Sequence, residues 1–139
     1  MEITTTCPIR IAIADNHAVF AKAVKACLDT DGRFNVVLSV LNTDDLFEML
    51  PKIPVKYPDI LLVEISMYRM SGIEVTVEIK KRFPQMKVVA FTLWDDIKTI
   101  KSFRAVGGDG YVIKASSPEE LIVALEAVKD GFQYFPDLD

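Results

Sequence analysis

Short apolar runs alternate with longer amphipathic stretches along all 139 residues, and this alternation limits the possible folds more than any other feature. The runs predict five strands, at residues 9–14, 34–40, 60–65, 87–91 and 110–113. Each strand is followed by a stretch with helical spacing, and serial βα units build parallel sheets with right-handed crossovers. We therefore predict an α/β fold: a doubly wound, flavodoxin-like parallel sheet of five strands in the order 2-1-3-4-5, with five helices.

Residues 18–28 predict the first helix, because their apolar side chains recur at a helical spacing. These side chains are Val19, Phe20, Ala23, Val24, Cys27 and Leu28. We expect the thiol of Cys27 to be buried in that face.

Start signals predict three further helices. Thr43 is expected to cap a short second helix, and residues 95–106 predict the fourth. Ser117, followed by Pro118 and then Glu120, combines an N-cap, a proline in the first turn and a capping glutamate. The last helix is therefore predicted to begin there and to run to about residue 130.

Residues 73–80 alternate apolar and polar side chains, which is the period of a strand. We nevertheless predict a helix, because Ser71 and Gly72 form a plausible helix start and two successive parallel strands need a crossover between them.

Composition argues against several classes of function. The net charge is −4 and the pI is about 5.0, so these residues are not expected to bind nucleic acid directly. His17 is the only histidine, which argues against a histidine-based zinc site or a catalytic triad. No apolar run is long enough to cross a membrane, and the start of the chain lacks the order of a signal peptide. We therefore expect a cytoplasmic protein.

Polar side chains stand directly after four of the five predicted strands. In chain order they are Asp15, Asn16, Glu64, Ser66, Thr92 and Lys114. The carboxyl ends of parallel strands meet at one edge of the sheet, where such folds bind their ligands. The first four residues offer oxygen ligands of the kind that Mg²⁺ prefers. Thr92 and Lys114 can hold a phosphoryl group or another anion.

Nearly the whole chain resembles a response-regulator receiver domain. The resemblance is carried by residues 11–17 (IAIADNH), 58–67 (PDILLVEISM), 71–74 (SGIE), 91–92 (FT) and 110–114 (GYVIK). Residues 117–121 (SPEEL) and 131–135 (GFQYF) are most similar to the NarL-type (LuxR-like) branch. The joint spacing of these segments is more specific than any one of them.

The resemblance implies a signalling module. In that family a histidine kinase or a small phosphodonor phosphorylates an aspartate with the help of Mg²⁺, and Glu64 stands at the position of that aspartate. Thr92 and Lys114 match the residues that contact the phosphoryl oxygens. Tyr111 matches the aromatic that swings inward on activation, although it can also be an ordinary half-buried strand residue. In the NarL-type branch a helix-turn-helix domain usually follows and binds DNA.

Three departures from the family pattern fall within the site. They are Glu64 for the aspartate, Asn16 for a second acidic residue, and Tyr68 for the proline that follows the methionine. The additional methylene of glutamate extends its reach by about 1.3 Å, and an error of about 1 Å can slow a transfer on the order of a hundredfold. We expect phosphorylation of Glu64 to be impaired or absent, and Mg²⁺ to bind only weakly.

Two interpretations of Glu64 stay open. Its carboxylate can pair with Lys114 and imitate the phosphorylated state, or the pair can be a local contact within a fixed scaffold. Reversing a switch from 1:99 to 99:1 needs about 5.5 kcal/mol, more than one partly solvated ion pair supplies. That estimate favours the scaffold.

The leading hypothesis is a non-enzymatic, atypical receiver that acts through protein contacts. The alternative is a phosphorylation-competent receiver that uses Mg²⁺ and an unusual acceptor. A flavin or nucleotide site at the strand ends is disfavoured, because Asp15, Asn16 and His17 stand where a glycine-rich loop would follow the first strand.

The predicted domain plan has an N-terminal tail at residues 1–8, a receiver domain at 9–131, and the start of a linker at 132–139. The linker is expected to lead to a DNA-binding domain outside this chain. The expected partners are a histidine kinase and a second copy of the chain. That copy is expected to bind through the last helix, alone or together with the first, because Val123 and Ala127 widen the apolar face of the last helix.

Overall fold

The computed structural model describes residues 7–137. The strands are β1 (Ile9–Ala14), β2 (Phe34–Val40), β3 (Ile60–Val63), β4 (Lys87–Thr92) and β5 (Gly110–Ile113). The helices are α1 (Ala18–Thr30), α2 (Thr43–Met49), α3 (Gly72–Arg82), α4 (Ile97–Ala105) and α5 (Pro118–Lys129), with a short 3-10 turn at Leu50–Lys52 after α2. All strand pairs are parallel and the order is 2-1-3-4-5, so the predicted fold is confirmed.

Helices cover both faces of the sheet, and β3 is buried on both of them. Leu61 and Val63 face one hydrophobic layer, which also contains Val75 of α3 and Ile100 of α4. Ile60 and Leu62 face the other layer, to which α1 and α5 contribute. This two-sided burial explains the continuous apolar run of the third strand.

The alternating segment after β3 is helical, as the crossover argument predicted. Ser71 accepts a hydrogen bond from the main-chain N–H of Glu74, and the Glu74 carboxylate accepts one from the N–H of Ser71. Gly72 lies so close to the end of β3 that a Cβ on it would be 2.5 Å from the main-chain oxygen of Glu64. The start of α3 is therefore fixed against the strand that carries Glu64.

Several predicted boundaries were wrong by one or two residues. α1 runs to Thr30 rather than to residue 28, and β4 runs to Thr92 rather than to residue 91. Asn42, not Thr43, caps α2, because its side chain accepts the hydrogen bond from the N–H of Asp45. β3 ends at Val63 rather than at residue 65. α4 begins at Ile97, because Asp96 caps it.

The predicted apolar face of α1 was partly wrong. Ala21, Val24 and Leu28 are buried, but Val19 is 81% exposed and Ala23 is also exposed. Cys27 is only half-buried, so its thiol is not a core residue. The apolar stripe of α1 is wider than its contact with the sheet, so the residues at the edges of the stripe are exposed to water.

Residues that follow α5 pack on the domain. The main-chain carbonyl of Tyr134 accepts a hydrogen bond from the N–H of Tyr111 at 2.7 Å, and Tyr134 bridges Gly110 in parallel. Arg104 stacks over the ring of Phe135 at 5.4 Å. The predicted linker segment 132–139 therefore begins with residues that cover the edge of β5. The last two residues of that segment, and residues 1–6 of the predicted tail, lie outside the described residues.

Within residues 7–137, none of the helices has the length and apolar character that a bilayer span requires.

Candidate functional site

The carboxyl ends of β1 and β3 place two carboxylates side by side. Asp15 follows β1 and Glu64 follows β3, and both are buried. The N–H of Glu64 donates to the main-chain oxygen of Ala14 at 3.0 Å, which extends the pairing of the two strands to the site. The sheet, rather than a mobile loop, therefore positions both acidic groups.

Lys114 brings its ammonium group between these carboxylates. Its Nζ lies 2.8 Å from Asp15 Oδ2 and 2.8 Å from Glu64 Oε1, and its side chain is 0% exposed. The N–H of Lys114 donates to the main-chain oxygen of Thr92 at 2.7 Å, which fixes the loop after β5 against β4. The rings of Phe20 and Phe91 lie under the ammonium, 4.5 and 5.8 Å from Nζ. These contacts make Lys114 the cation of the site.

Both carboxylate oxygens of Glu64 accept hydrogen bonds. Besides Lys114, its carboxylate accepts a hydrogen bond from Thr92 Oγ1 at 2.5 Å and from the N–H of Ser66 at 2.9 Å. Burial alone raises the pKa of Glu64, but the bonds from Lys114, Ser66 and Thr92 together hold this pKa below its ordinary value. Glu64 is therefore a buried carboxylate in its charged form at neutral pH.

The sequence analysis treated Glu64 and Lys114 as a partly solvated pair, and that premise was wrong. Their side chains are 2% and 0% exposed. The pair is therefore buried, and the surface value for an ion pair does not apply.

Asn16 and Ser66 lie at the rim of the site. The amide nitrogen of Asn16 donates to the main-chain oxygen of Ser66 at 3.3 Å, and both residues are exposed. The side chains of these two predicted metal ligands are not bonded to Asp15 or Glu64, although the N–H of Ser66 reaches Glu64.

His17 is a site residue that was not predicted as one, although it belongs to the segment 11–17 that carries the family resemblance. Its Nδ1 lies 3.2 Å from Lys114 Nζ, 3.3 Å from Asp15 Oδ1 and 3.7 Å from Glu64 Oε1. The signal available in the sequence was its place directly after Asp15 and Asn16 at a strand end. Phe20 was also missed, because it had been assigned only to the core face of α1.

Tyr111 is not a half-buried strand residue: it is 1% exposed. Its hydroxyl donates to the main-chain oxygen of Trp94 at 2.8 Å, and its ring packs edge-on against Phe103 with centroids 5.8 Å apart. Burial raises the pKa of its phenol well above the ordinary value. The ring thus lies inside the domain, beside the loop that follows Thr92.

The donor chemistry of the site fits a divalent cation. Asp15, His17 and Glu64 each offer one ligand atom within 4.8 Å of the others. Mg²⁺ takes one or two carboxylates and keeps several waters, and here Asp15 and Glu64 are the carboxylates. The Lys114 ammonium lies against the same carboxylates, so a metal ion must compete with it.

Comparison with known proteins identifies the family. The response regulator receiver domain matches residues 11–126. The transcriptional regulatory protein DegU of Brevibacillus brevis is 30% identical over 126 residues, which are 91% of this chain and 52% of that protein. The oxygen regulatory protein NreC of Staphylococcus epidermidis is 32% identical over 127 residues, which are 91% of this chain and 57% of that protein. The chain thus spans about half the length of the curated relatives it matches.

Solved structures show the same fold. The isolated receiver domain of RcsB from Salmonella enterica superimposes with a TM-score of 0.84 at 24% identity, over 95% of this chain and 96% of that one. A LuxR-family two-component response regulator from Aurantimonas gives 0.86 at 23% identity, over 95% and 93%. The Aurantimonas protein is named as a member of the LuxR family, and DegU and NreC are named as regulatory proteins. On the match over residues 11–126, this chain belongs to the family of response regulator receiver domains.

Proposed function

We propose that this chain is an atypical receiver domain in which Glu64 occupies the phosphoacceptor position and phosphorylation is impaired or absent. One observation carries the proposal: the Glu64 carboxylate accepts hydrogen bonds from both Thr92 and Lys114. By the resemblance, these are the residues that contact the phosphoryl oxygens of a phosphorylated receiver. A side chain already uses both contacts, so a phosphoryl group has to displace it.

We further propose that Glu64 holds the domain in one state and does not act as a switch. The buried position of Tyr111 is the inward one that the resemblance associates with activation. Because the ion pair is buried, removing one partner costs about 3–5 kcal/mol of stability. A pair that forms in only one arrangement biases the domain towards it by a part of that amount, which is less than the roughly 5.5 kcal/mol of a full reversal. The buried geometry therefore supports a domain held near the active arrangement.

Mg²⁺ is proposed to bind weakly, if the Lys114 ammonium is displaced far enough to free a carboxylate. Receiver domains bind this ion in an acidic pocket, where it neutralises the charge of the incoming phosphoryl group. In this chain Asn16 stands in place of the second acidic residue, and its amide nitrogen already donates to the main-chain oxygen of Ser66.

The remaining features of the proposal concern partners. We propose that the domain signals through protein contacts without enzymatic activity of its own, in the cytoplasm. A histidine kinase, a second copy of the chain, and DNA reached through an additional domain are the proposed partners. One fold neighbour, RcsB, is described as dimers bound to DNA, and the matched relatives are transcriptional and oxygen regulators. We place the start of the linker after Phe135, because the residues before it pack on β5 and α4.

The experiment is incubation of the chain with acetyl phosphate and Mg²⁺, followed by intact-protein mass spectrometry. The wild-type chain is expected to keep its mass. Glu64→Asp, combined with Asn16→Asp to restore the second acidic group, is the positive control and is expected to gain one phosphoryl group. A wild-type chain that gains a phosphoryl group at Glu64 overturns the proposal in favour of a phosphorylation-competent receiver.

A further inference from the structure

A cavity of about 410 Å³ lies at the end of the sheet opposite to Glu64. Its walls are the segment before β3, the segment between α3 and β4, and the end of α5. Glu64 is five residues further along the chain than Asp59 of this cavity, or roughly 16 Å along a strand. The cavity is therefore separate from the site of the proposed phosphoacceptor.

The lining is basic in a protein that is acidic overall. In the part of the chain that the structure describes, four cationic side chains, Lys56, Arg82, Lys87 and Lys129, line the cavity, and Asp59 is the one carboxylate in its wall, although the net charge of the chain is −4. Such a local excess of positive charge attracts anions.

Asp59 neutralises only part of this excess. Its carboxylate already accepts from the N–H of Arg10 at 2.8 Å and from Lys129 Nζ at 3.2 Å, whereas Lys56 Nζ is 3.9 Å away. Within residues 7–137, the Lys87 ammonium makes no ion pair or hydrogen bond. The ammonium group of Lys87, a half-buried residue of the cavity wall, is thus available to bind a ligand.

Helix dipoles explain only part of the cluster. Arg82 and Lys129 lie in the last turns of α3 and α5, where a cation is favourable without any ligand. Lys56 and Lys87 lie outside helices and gain nothing from a dipole. Arg82 is already paired, because its Nε donates to Glu78 Oε2 at 3.0 Å. Lys56 and Lys87 are therefore the cations of the cavity that neither a helix dipole nor a close ion pair explains.

The cavity also has an aromatic wall. The rings of Tyr57 and Phe83 pack edge to face with centroids 4.6 Å apart, and half of Tyr57 stays exposed. The Arg10 guanidinium fixes this wall, since it donates to the main-chain oxygens of Pro54, Lys56 and Tyr57. A ring face beside several cations suits a ligand that is planar at one end and anionic at the other.

We propose that this cavity binds a small organic phosphate of the nucleoside monophosphate class, with the base against Tyr57 and Phe83 and the phosphate against Lys56 and Lys87. Its volume falls within the range of about 300–1,000 Å³ that small-molecule sites occupy. The site is independent of phosphorylation at Glu64, so either proposal can fail without the other.

The test is an NMR titration of the ¹⁵N-labelled 139-residue chain with AMP and GMP, with inorganic phosphate and adenosine as partial ligands. We expect saturable shifts of the amides of Lys56, Tyr57 and Asp59 and of residues 85–87, with a dissociation constant at or below about 1 mM for a nucleotide. Each partial ligand is expected to bind at least about tenfold more weakly.

Two variants complete the experiment. Lys87→Ala is expected to weaken nucleotide binding about tenfold or more, because it removes the unpaired cation. Lys101→Ala removes the same charge from the exposed face of α4 and is expected to leave binding unchanged. The proposal is overturned if neither nucleotide saturates, if both lysine variants weaken binding equally, or if inorganic phosphate binds as tightly as the nucleotides.

Discussion

The positive charge of Lys114 is important for the stability of the buried site. The ammonium balances two buried carboxylates at 2.8 Å each, and two aromatic rings cover it from below. Burying a cation in such a position costs desolvation free energy, which its attraction to the two carboxylates offsets. Removing it leaves both partners buried with uncompensated charge.

Lys114→Met is therefore expected to lower the free energy of unfolding by about 3–5 kcal/mol. The reason is the charge left on Asp15 and Glu64 rather than lost volume, since methionine has a similar length. Urea denaturation followed by circular dichroism measures the change. Lys101→Met, at an exposed position of α4, is the control and is expected to change stability by no more than about 0.5 kcal/mol. Equal effects of the two variants would contradict a buried ion-pair cluster of Asp15, Glu64 and Lys114.

Glu64 gives the stability of the domain a pH dependence. Its pKa is lower in the folded chain than the ordinary value of 4.5, so the unfolded chain binds more protons in that range. Its contribution to stability is complete above pH 4.5 and is lost as the pH falls through the lower, folded pKa. The free energy of unfolding of the wild type minus that of Glu64→Gln is expected to be constant near neutral pH and to shrink in acid. Denaturation curves at several pH values measure it, and a difference that grows in acid would have the wrong sign.

At this scale the sequence predicted which side chains converge, but not how deeply they are buried. Asp15, Glu64, Thr92 and Lys114 were found because each follows a strand. His17 was missed, because its place beside the ammonium depends on how the loop after β1 turns back toward β5. No local pattern records that turn.

Gly72 is the point where an element boundary determines the geometry of the site. The first turn of α3 packs against the main chain of Glu64 and Ile65, leaving no room for a Cβ. α3 and the end of β3 are thus one packed unit.

Gly72→Ala is expected to cost about 1–3 kcal/mol of stability, because α3 must move away from β3 to relieve the clash. Gly32→Ala is the matched control, since a Cβ at Gly32 meets no atom within 4 Å. Thermal unfolding of both variants measures the difference. The account of this boundary fails if Gly32→Ala is the more damaging change.

The elements were predictable where two signals agreed and less so where one signal stood alone. For α3, the start at Ser71 and the need for a crossover outweighed the strand-like alternation. For α2, Asn42 and Thr43 are adjacent residues of which both types can cap, and only the hydrogen bond to Asp45 selects Asn42. For α1, the sequence could not show that the contact with the sheet is narrower than the apolar stripe, so Val19 was placed inside.

At the scale of the whole molecule, α5 is the surface proposed for a second copy. Val123 is 53% exposed beside the buried residues of that helix. Val123→Glu is expected to weaken self-association about tenfold or more, because it buries a charge in an apolar contact. Sedimentation equilibrium measures the monomer–dimer constant. Leu41→Glu, a change of the same kind before α2, is the control, and equal constants for both variants would exclude α5 as the interface.

The arrangement of Thr92, Lys114 and Tyr111 around Glu64 is a property of the whole domain, and amide NMR spectra report it directly. Spectra of the wild type and of Glu64→Asp/Asn16→Asp are recorded in the presence of Mg²⁺, before and after addition of beryllofluoride, which imitates a phosphoryl group. We predict that the wild-type spectrum stays unchanged, whereas the double variant shifts at Thr92, Lys114 and Tyr111. A wild-type spectrum that shifts at those residues as the double variant does would contradict a receiver whose own glutamate takes the place of the phosphoryl group.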